Sequence, residues 1–228
     1  MGFLAATLSA AETGDKEKII AAAKKLGDSA NYSWITTPKD ETGSSGRNIG
    51  LIEGKTEKDG FTYMVLTPGG ISIEVFLKGD KGAAKTLEGW QSFGEIEQAG
   101  GMAAQIAKRI RQFKRPAAEA IDLVGAVKGL KEADGAYAGE LSEEKTKEFI
   151  LLATRRREGQ TLPEMKGLRG SAKFWLKEGA LTKYEFNVQA KVTAGERELD
   201  INQTLAVEIK DVGSTKIELP DEAKTALK

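Results

Sequence analysis

Residues 168–209, LRGSAKFWLKEGALTKYEFNVQAKVTAGERELDINQTLAVEI, decide the fold of this chain. Apolar and polar residues alternate through three runs of this stretch, and Glu178-Gly179 and Ala194-Gly195 separate the runs as turns. Because successive side chains of a β-strand point to opposite faces, each run predicts a strand with one apolar face. Three such strands in succession predict a curved antiparallel sheet that is apolar inside and polar outside.

The inward-facing residues of these strands form a long predicted apolar wall. An apolar sheet face has to be buried against another layer of structure, so a cover is required. Gln203 interrupts the wall, either as a polar contact inside a pocket or as a hydrogen-bonded core or rim residue. The wall consists of Leu168, Gly170, Ala172, Phe174 and Leu176, then Thr182, Tyr184, Phe186, Val188, Ala190 and Val192, then Leu199, Ile201, Gln203, Leu205, Val207 and Ile209.

Stretches with helical spacing supply the cover. Residues 15–26 predict one helix, and residues between 98 and 130 predict two more that form an αα-hairpin, the second of which begins at Pro116. Ser142 can cap a further helix that runs to about residue 155, although the apolar run 149–152 also fits a strand. The apolar stripe of the first hairpin helix consists of Ala103, Ile106, Ala107, Ile110 and Phe113.

A second set of strands precedes these helices. Tyr32 and Trp34 share one face of a strand, and a polar loop is expected from residue 38 to 46. Turn signals at 57–60, 68–70 and 79–82 then divide residues 48–93 into a meander. One run in this meander alternates apolar and polar residues, which predicts a strand with one face exposed to solvent. Its apolar residues are Ile71, Ile73, Val75 and Leu77. The complete pattern predicts an α+β fold: a curved antiparallel β-sheet, or half-barrel, with one apolar face covered by amphipathic helices.

Composition excludes several kinds of chemistry. The 228 residues contain 34 Lys and Arg, 34 Asp and Glu, no His and no Cys. Such a balance predicts no general attraction to nucleic acid or to an anionic membrane. Without imidazole or thiol, there is no Ser-His-Asp or Cys-His nucleophile, no zinc site of the usual kinds, no disulfide and no cysteine for acylation. Carboxylate acid-base chemistry, a Lys or Ser-Lys nucleophile and an oxygen-ligated calcium or magnesium ion remain possible, although the sequence has no calcium loop of the D-x-D-x-D-G type. We expect no metal, no cofactor and no lipid anchor.

The first eleven residues, MGFLAATLSAA, resemble the end of a signal peptide because small residues stand at 9 and 11, where a signal peptidase reads. The alternative interpretation is a helix N-terminus, since no Lys or Arg precedes the apolar run. No later stretch approaches the roughly 18 apolar residues of a membrane span. The sequence thus predicts a single domain over 12–228, which is soluble and periplasmic or secreted.

Two segments resemble a known family. The stretch Gly170–Leu176 followed by Gly179–Phe186 resembles the strand-turn-strand "W-x-x-x-x-G-x-L-x-K-Y" region of the LolA-like lipoprotein carriers and of the related mycobacterial LppX and LprG lipoproteins. Residues 209–213 and 217–224 resemble their last strand and their "P-E-E-A" end. The resemblance implies a half-open sheet, lidded by helices, that takes up acyl chains, with no catalytic residues. It departs from the mycobacterial members, which are anchored through an N-terminal Cys, and the Arg of the LolA cavity region has no clear counterpart.

The leading hypothesis is therefore an exported protein that binds a lipid or another apolar ligand between sheet and helices. One alternative is an envelope protein whose packed sheet serves only as a core and whose outer surface contacts other proteins. The predicted apolar cavity is lined by Ile106, Ile110, Phe113, Phe174, Leu176, Tyr184, Phe186, Val188, Leu205 and Val207.

Two further hypotheses concern charged residues. Basic side chains can contact an envelope protein or lipid headgroups, although a solvated surface is the plainer interpretation. A hydrolase would have to use paired carboxylates among Glu143, Glu144, Glu185 and Asp200, whose spacing indicates no convergence. The basic residues in question are Lys108, Arg109, Arg111, Arg155, Arg156 and Arg157.

Overall fold

The computed structural model describes residues 3–42, 50–153, 163–194 and 197–228. Its main feature is one open antiparallel sheet of eleven strands, in the order β6-β5-β4-β3-β2-β1-β11-β10-β9-β8-β7. The strands are β1 (Asn31–Asp40), β2 (Leu51–Glu57), β3 (Phe61–Thr67), β4 (Ile73–Lys78), β5 (Lys81–Thr86), β6 (Gly89–Ser92), β7 (Val127–Ala133), β8 (Ala136–Leu141), β9 (Glu164–Lys177), β10 (Ala180–Ala194) and β11 (Arg197–Lys210).

Six helices accompany the sheet within the described residues, so the predicted α+β class with a curved antiparallel sheet is confirmed. The two sets of predicted strands form one sheet because β1 pairs with β11, with Trp34 opposite Ile209. The helices are α1 (Phe3–Gly27), α2 (Phe93–Ala99), α3 (Gly101–Arg111), α4 (Pro116–Ala126), α5 (Glu143–Ala153) and α6 (Asp221–Ala226).

The long final hairpins follow the predicted alternation, with one correction. Phe174, Tyr184 and Phe186 are buried, and they point inward as expected. A register irregularity between positions 181 and 183, however, turns Leu181 into the core in place of Thr182. The Thr182 hydroxyl instead donates a hydrogen bond to the Trp175 carbonyl oxygen. The strict alternation of inward and outward residues is interrupted there. The extra residue of a β-bulge moves the side chains that precede it to the opposite face of the sheet.

The turns between the N-terminal strands lie where they were predicted. The expectation that one face of this part of the sheet is exposed to solvent, however, is wrong. Val75 points into the main core, whereas its neighbour Phe76 is buried on the opposite face. There, Phe76 joins Ala83 from β5 and Ala223 from α6 in a second apolar cluster. The C-terminal helix therefore covers part of the outer sheet face. β1 also extends through Pro38 to Asp40, where a loop was expected.

Several helix predictions need correction. α1 begins at Phe3 and not at residue 15, and α4 packs mainly against α1, so the expected αα-hairpin of α3 with α4 is wrong. α3 buries Ala104 and leaves Ala103 exposed. Pro116 begins α4 as predicted.

The N-terminal ends of two helices are capped by serine residues, which are local sequence signals for the start of a helix. The backbone N–H of Lys145 donates to the Ser142 hydroxyl, so Ser142 caps α5 as predicted and α5 is a helix. Ser92 and Glu95 form a capping box at the start of α2. A serine followed by a glutamate three positions later is a local sequence signal for a helix start, although α2 was not among the predicted helices.

The main core lies between the inner sheet face and helices α1 to α5. Within the described residues, no helix is long and apolar enough to cross a membrane. The backbone of residues 3–11 belongs to α1, and cleavage of this segment stays a prediction.

Candidate ligand-binding cleft

A half-open cleft of about 730 Å³ lies between the inner face of the N-terminal strands and the helices. Strands β1 to β4 form one wall, and α1, α4 and the segment that joins α3 to α4 form the other. This volume is within the range of about 300–1,000 Å³ that is typical of small-molecule sites. The cleft residues are Ala23, Lys24, Gly27, Asp28, Ser29, Tyr32, Thr56, Glu57, Lys58, Gly60, Thr62, Leu77, Gly79, Asp80, Arg111, Phe113, Lys114, Arg115, Ala117, Ala118 and Ile121.

Aromatic side chains support the inner part of the cleft. Phe113 stacks on Trp34 with ring centroids 5.8 Å apart and an interplanar angle of 15°, and Tyr32 is tilted against the same indole at 6.0 Å. Trp34 is 1% exposed, and its Nε1 has no hydrogen-bond partner within the described residues. Burial raises the pKa of the Tyr32 hydroxyl, which also makes a hydrogen bond with the Ala117 backbone. These contacts fix the aromatic part of the cleft wall.

Thr56 and Thr62 also line the cleft, and their hydroxyl groups hydrogen-bond to each other at 3.1 Å. The Thr56 hydroxyl makes a further hydrogen bond to the Phe61 carbonyl oxygen. These two buried hydroxyl groups are therefore paired within the protein and need no partner from a ligand.

The structure divides the ten predicted cavity residues among different places. Only Phe113 lines the large cleft, and Leu176 lines a second cleft of about 460 Å³ between α1 and the β8 to β10 region. Phe186 is stacked on Phe149 of α5, with ring centroids 4.3 Å apart. Those that are buried in the main core are Ile110, Phe174, Tyr184, Phe186, Val188 and Val207, while Ile106 and Leu205 are half-buried at its margin. Ligand binding by this set stays a prediction.

The cleft residues that the sequence analysis missed come from distant parts of the chain. Tyr32, Thr56 and Thr62 belong to three adjacent strands, whereas Ala117 and Ile121 belong to α4. The alternation in β1 did place Tyr32 on the inner face. No local signal indicates, however, that its part of the sheet is incompletely covered.

The predicted basic and acidic groups are mostly surface residues. Arg111 Nε donates to Glu97 at 2.7 Å, while Lys108 and Arg109 are exposed on α3. Arg155, Arg156 and Arg157 lie outside the described residues. The four carboxylates of the hydrolase hypothesis do not converge: Glu143 and Glu144 are exposed on α5, Glu185 pairs with lysines on the outer face of β9 and β10, and Asp200 pairs with Lys191.

A polar cluster links α4 and α5 above the sheet. Tyr184 Oη donates to Glu119 Oε2 at 2.5 Å, and Lys145 Nζ donates to Asp122 Oδ2, also at 2.5 Å. Burial raises the pKa of Glu119 despite this hydrogen bond and the nearby lysines. Burial alone would raise the pKa of Asp122 as well, but hydrogen bonds from Lys114 and Lys145 hold it below its usual value. Within the described residues, no cluster of acids is arranged to hold a metal ion.

We expect Glu119→Gln to stabilise the protein at pH 7 by about 1 kcal/mol. A raised carboxyl pKa means that Glu119 contributes most to stability below its unfolded pKa of about 4.3, and that this contribution is lost as the pH rises through the folded value. Glutamine keeps an acceptor for Tyr184 but never ionises, so its advantage should vanish near pH 4. Urea unfolding at several pH values measures the difference.

The control for this prediction is Glu140→Gln, which removes an exposed carboxylate from β8 and should show no comparable dependence on pH. If Glu119→Gln is less stable than the parent protein at every pH, attraction to Lys145 and Lys114 outweighs the cost of burial, and the prediction is wrong.

Comparisons with known proteins give structural matches only, since no protein-family model and no curated protein matches the chain. Lipoprotein LppX of Mycobacterium tuberculosis is similar at 9% identity and a TM-score of 0.47, over 89% of this chain and 96% of that one. LprF from Mycobacterium bovis is similar at 10% identity and a TM-score of 0.47, over 91% and 96%. A LolA superfamily protein from Nitrosomonas europaea is similar at 11% identity and a TM-score of 0.32, over 90% and 94%. The structural matches are thus to LppX-like and LolA-like proteins, the two groups that residues 170–186 resemble in sequence.

Proposed function

We propose that this chain is an exported binding protein that holds a lipid or another apolar ligand between its curved sheet and its helices. The observation that carries the proposal is the cleft of about 730 Å³, which opens between these two layers. Its inner wall combines an aromatic stack with small helix residues, so a narrow apolar group can lie against it. Burial of apolar ligand surface supplies about 25 cal/mol per Å² before the costs of association.

Of the ten predicted cavity residues, Phe113 lines this cleft, and we therefore place the ligand against it. The ligand lies against Tyr32 and Phe113, and its apolar part faces Ala117 and Ile121 of α4. The wall residues of β9 to β11 support the helices from the other half of the sheet. The signal-like segment at residues 1–11 supports export.

The test is to purify the protein, extract it with organic solvent and identify the extracted molecules by mass spectrometry. The Ala118→Trp variant is examined in parallel, because Ala118 is exposed and lines the cleft, so that an indole there occupies the cleft with little disturbance of the core. We expect a co-purifying amphiphile or fatty-acid binding in the parent protein, and at least a tenfold loss of affinity in the variant, which corresponds to about 1.4 kcal/mol.

Ala103→Trp is the matched control. Ala103 is also an exposed helical alanine, but it lies on α3 outside the cleft, so its replacement should leave binding unchanged. Absence of co-purifying lipid together with absence of fatty-acid and dye binding by the parent protein would contradict the proposal. Equal losses in both variants would show that the cleft is not the site.

One observation favours the second candidate, a packed protein that acts through surface contacts. The stacking of Phe149 on Phe186 and the burial of Phe174 show that helices fill much of the space above β9 and β10. Under this alternative, the cleft is a surface feature without a ligand, and the extraction experiment separates the two functions.

A further inference from the structure

We propose that the mouth of the cleft binds the anionic headgroup of an amphiphilic ligand, with the Arg115 guanidinium as its main contact. This inference rests on the proposed function, because it assumes that the cleft is the binding site. It adds the chemical class of the ligand: an acyl or alkyl chain that ends in a phosphate or carboxylate.

Some of the positively charged side chains that line the cleft form ion pairs, and others do not. Five cations line it, and two of them are already paired: Arg111 with Glu97 and Lys114 with Asp122. Lys24, Lys58 and Arg115 form no ion pair within the described residues. Three of the cations that line the cleft are thus available to a ligand.

The acids that line the same cleft leave these cations unpaired. The cleft contains Asp28, Glu57 and Asp80. Glu57 Oε1 accepts the backbone N–H of Ile217 at 3.1 Å, and the Asp80 carbonyl oxygen accepts from Arg111 Nη1 at 2.6 Å. The Asp80 contact involves only its backbone, but within the described residues none of the three acids forms an ion pair with Lys24, Lys58 or Arg115, so these cations can pair with an external anion.

Arg115 is the cation for which a partner matters most. It is half-buried between the start of α4 and the β2–β3 turn, where its Nη2 lies 3.7 Å from the position of a Cβ built on Gly60. Lys58 stands on that same turn. A partly desolvated charge is costly unless it is paired, and the planar guanidinium fork fits the oxygens of phosphate or carboxylate.

The N-terminal end of α4 lies at the cleft and adds to the positive electrostatic potential of these cations. Arg115 occupies the N-cap position of α4, and Ala117 and Ala118 of its first turn line the cleft. The N-terminal end of a helix carries roughly half a positive charge and favours an anion within the first turn. The apolar wall beside Tyr32 and Phe113 continues from this point, so the headgroup and the chain of one amphiphile can be held together.

The experiment compares four probes by calorimetry on the full chain after delipidation: dodecyl phosphate, dodecanoate, 1-dodecanol and inorganic phosphate. We expect both anionic amphiphiles to bind at least tenfold more tightly than dodecanol, and inorganic phosphate to bind weakly. Arg115→Gln should weaken dodecyl phosphate binding about tenfold without changing dodecanol binding. Arg115→Lys should retain part of the affinity because it keeps the charge.

Arg169→Gln, an exposed arginine on β9 away from the cleft, is the matched control, and circular dichroism verifies that each variant is folded. If dodecanol binds as tightly as dodecyl phosphate and Arg115→Gln changes neither, the headgroup site is refuted while the proposed function stands. If no amphiphile binds the parent protein, both fail. If inorganic phosphate binds as tightly as dodecyl phosphate, the site recognises a free anion, and the proposal of an amphiphilic ligand is wrong.

Discussion

Replacing Phe186 with alanine should lower the free energy of unfolding by about 3 to 5 kcal/mol. Phe186 is 3% exposed and lies in β10 between Ala172 of β9 and Leu205 of β11. Its ring stacks on Phe149 of α5, with centroids 4.3 Å apart and an interplanar angle of 22°. Truncation removes both the transfer free energy of the ring and its contacts with α5, and it leaves a cavity that a rigid sheet cannot close. Urea unfolding followed by circular dichroism measures the loss.

Leu152→Ala is the control for this substitution. Leu152 belongs to the same helix, α5, but it is 50% exposed, so its truncation should change stability by less than about 0.5 kcal/mol. A loss below about 1 kcal/mol in Phe186→Ala, accompanied by tighter fatty-acid binding, would contradict the packed arrangement. It would place the ligand beside β10, where the sequence predicted the cavity.

The sequence predicted the final three strands well because their alternation is a local property. Each inward position from Tyr184 to Val192 depends only on strand geometry, and the structure buries the apolar side chains there. The exchange of Thr182 for Leu181 in the core was not predictable in the same way. A bulge depends on how the neighbouring strand pairs, and the composition of one strand does not encode this pairing.

Contacts between distant segments account for the other differences. The apolar spacing of α4 predicted a buried helix, but it did not distinguish α1 from α3 as the partner. Phe76 interrupts the alternation of β4, and its burial depends on α6, which arrives more than a hundred residues later in the chain. Whether such a side chain is exposed or covered is decided by topology.

The candidate cleft was the least predictable feature. Phe113 was in the predicted cavity, but Tyr32 and Arg115 acquire a common role only when β1 and the start of α4 are brought together. A sequence pattern indicates which faces are apolar. It does not indicate where the covering helices leave a gap, because a gap reflects the angles and lengths of several packed elements.

Gly54→Ala should destabilise the protein by about 3 kcal/mol. Gly54 of β2 lies directly opposite Trp34 of β1, and a Cβ built on it would lie 2.1 Å from the indole Cζ2 atom. The indole has little room to retreat, since it is 1% exposed and packs on Tyr32 and Phe113. Urea unfolding measures the loss. The near-ultraviolet circular dichroism of the folded variant reports the altered packing of Trp34.

The cause of this loss can be isolated with two further variants. Gly125→Ala is the matched control: Gly125 is exposed in α4, a Cβ there meets nothing within 4 Å, and alanine favours a helix by roughly 0.5–1 kcal/mol over glycine. Trp34→Leu combined with Gly54→Ala should be less destabilised than the sum of the two single changes, because the smaller side chain relieves the contact. Strict additivity would show that the indole does not limit position 54. Since Phe113 stacks on this indole and also lines the cleft, a displaced ring in Gly54→Ala should also weaken fatty-acid binding under conditions in which the variant is folded.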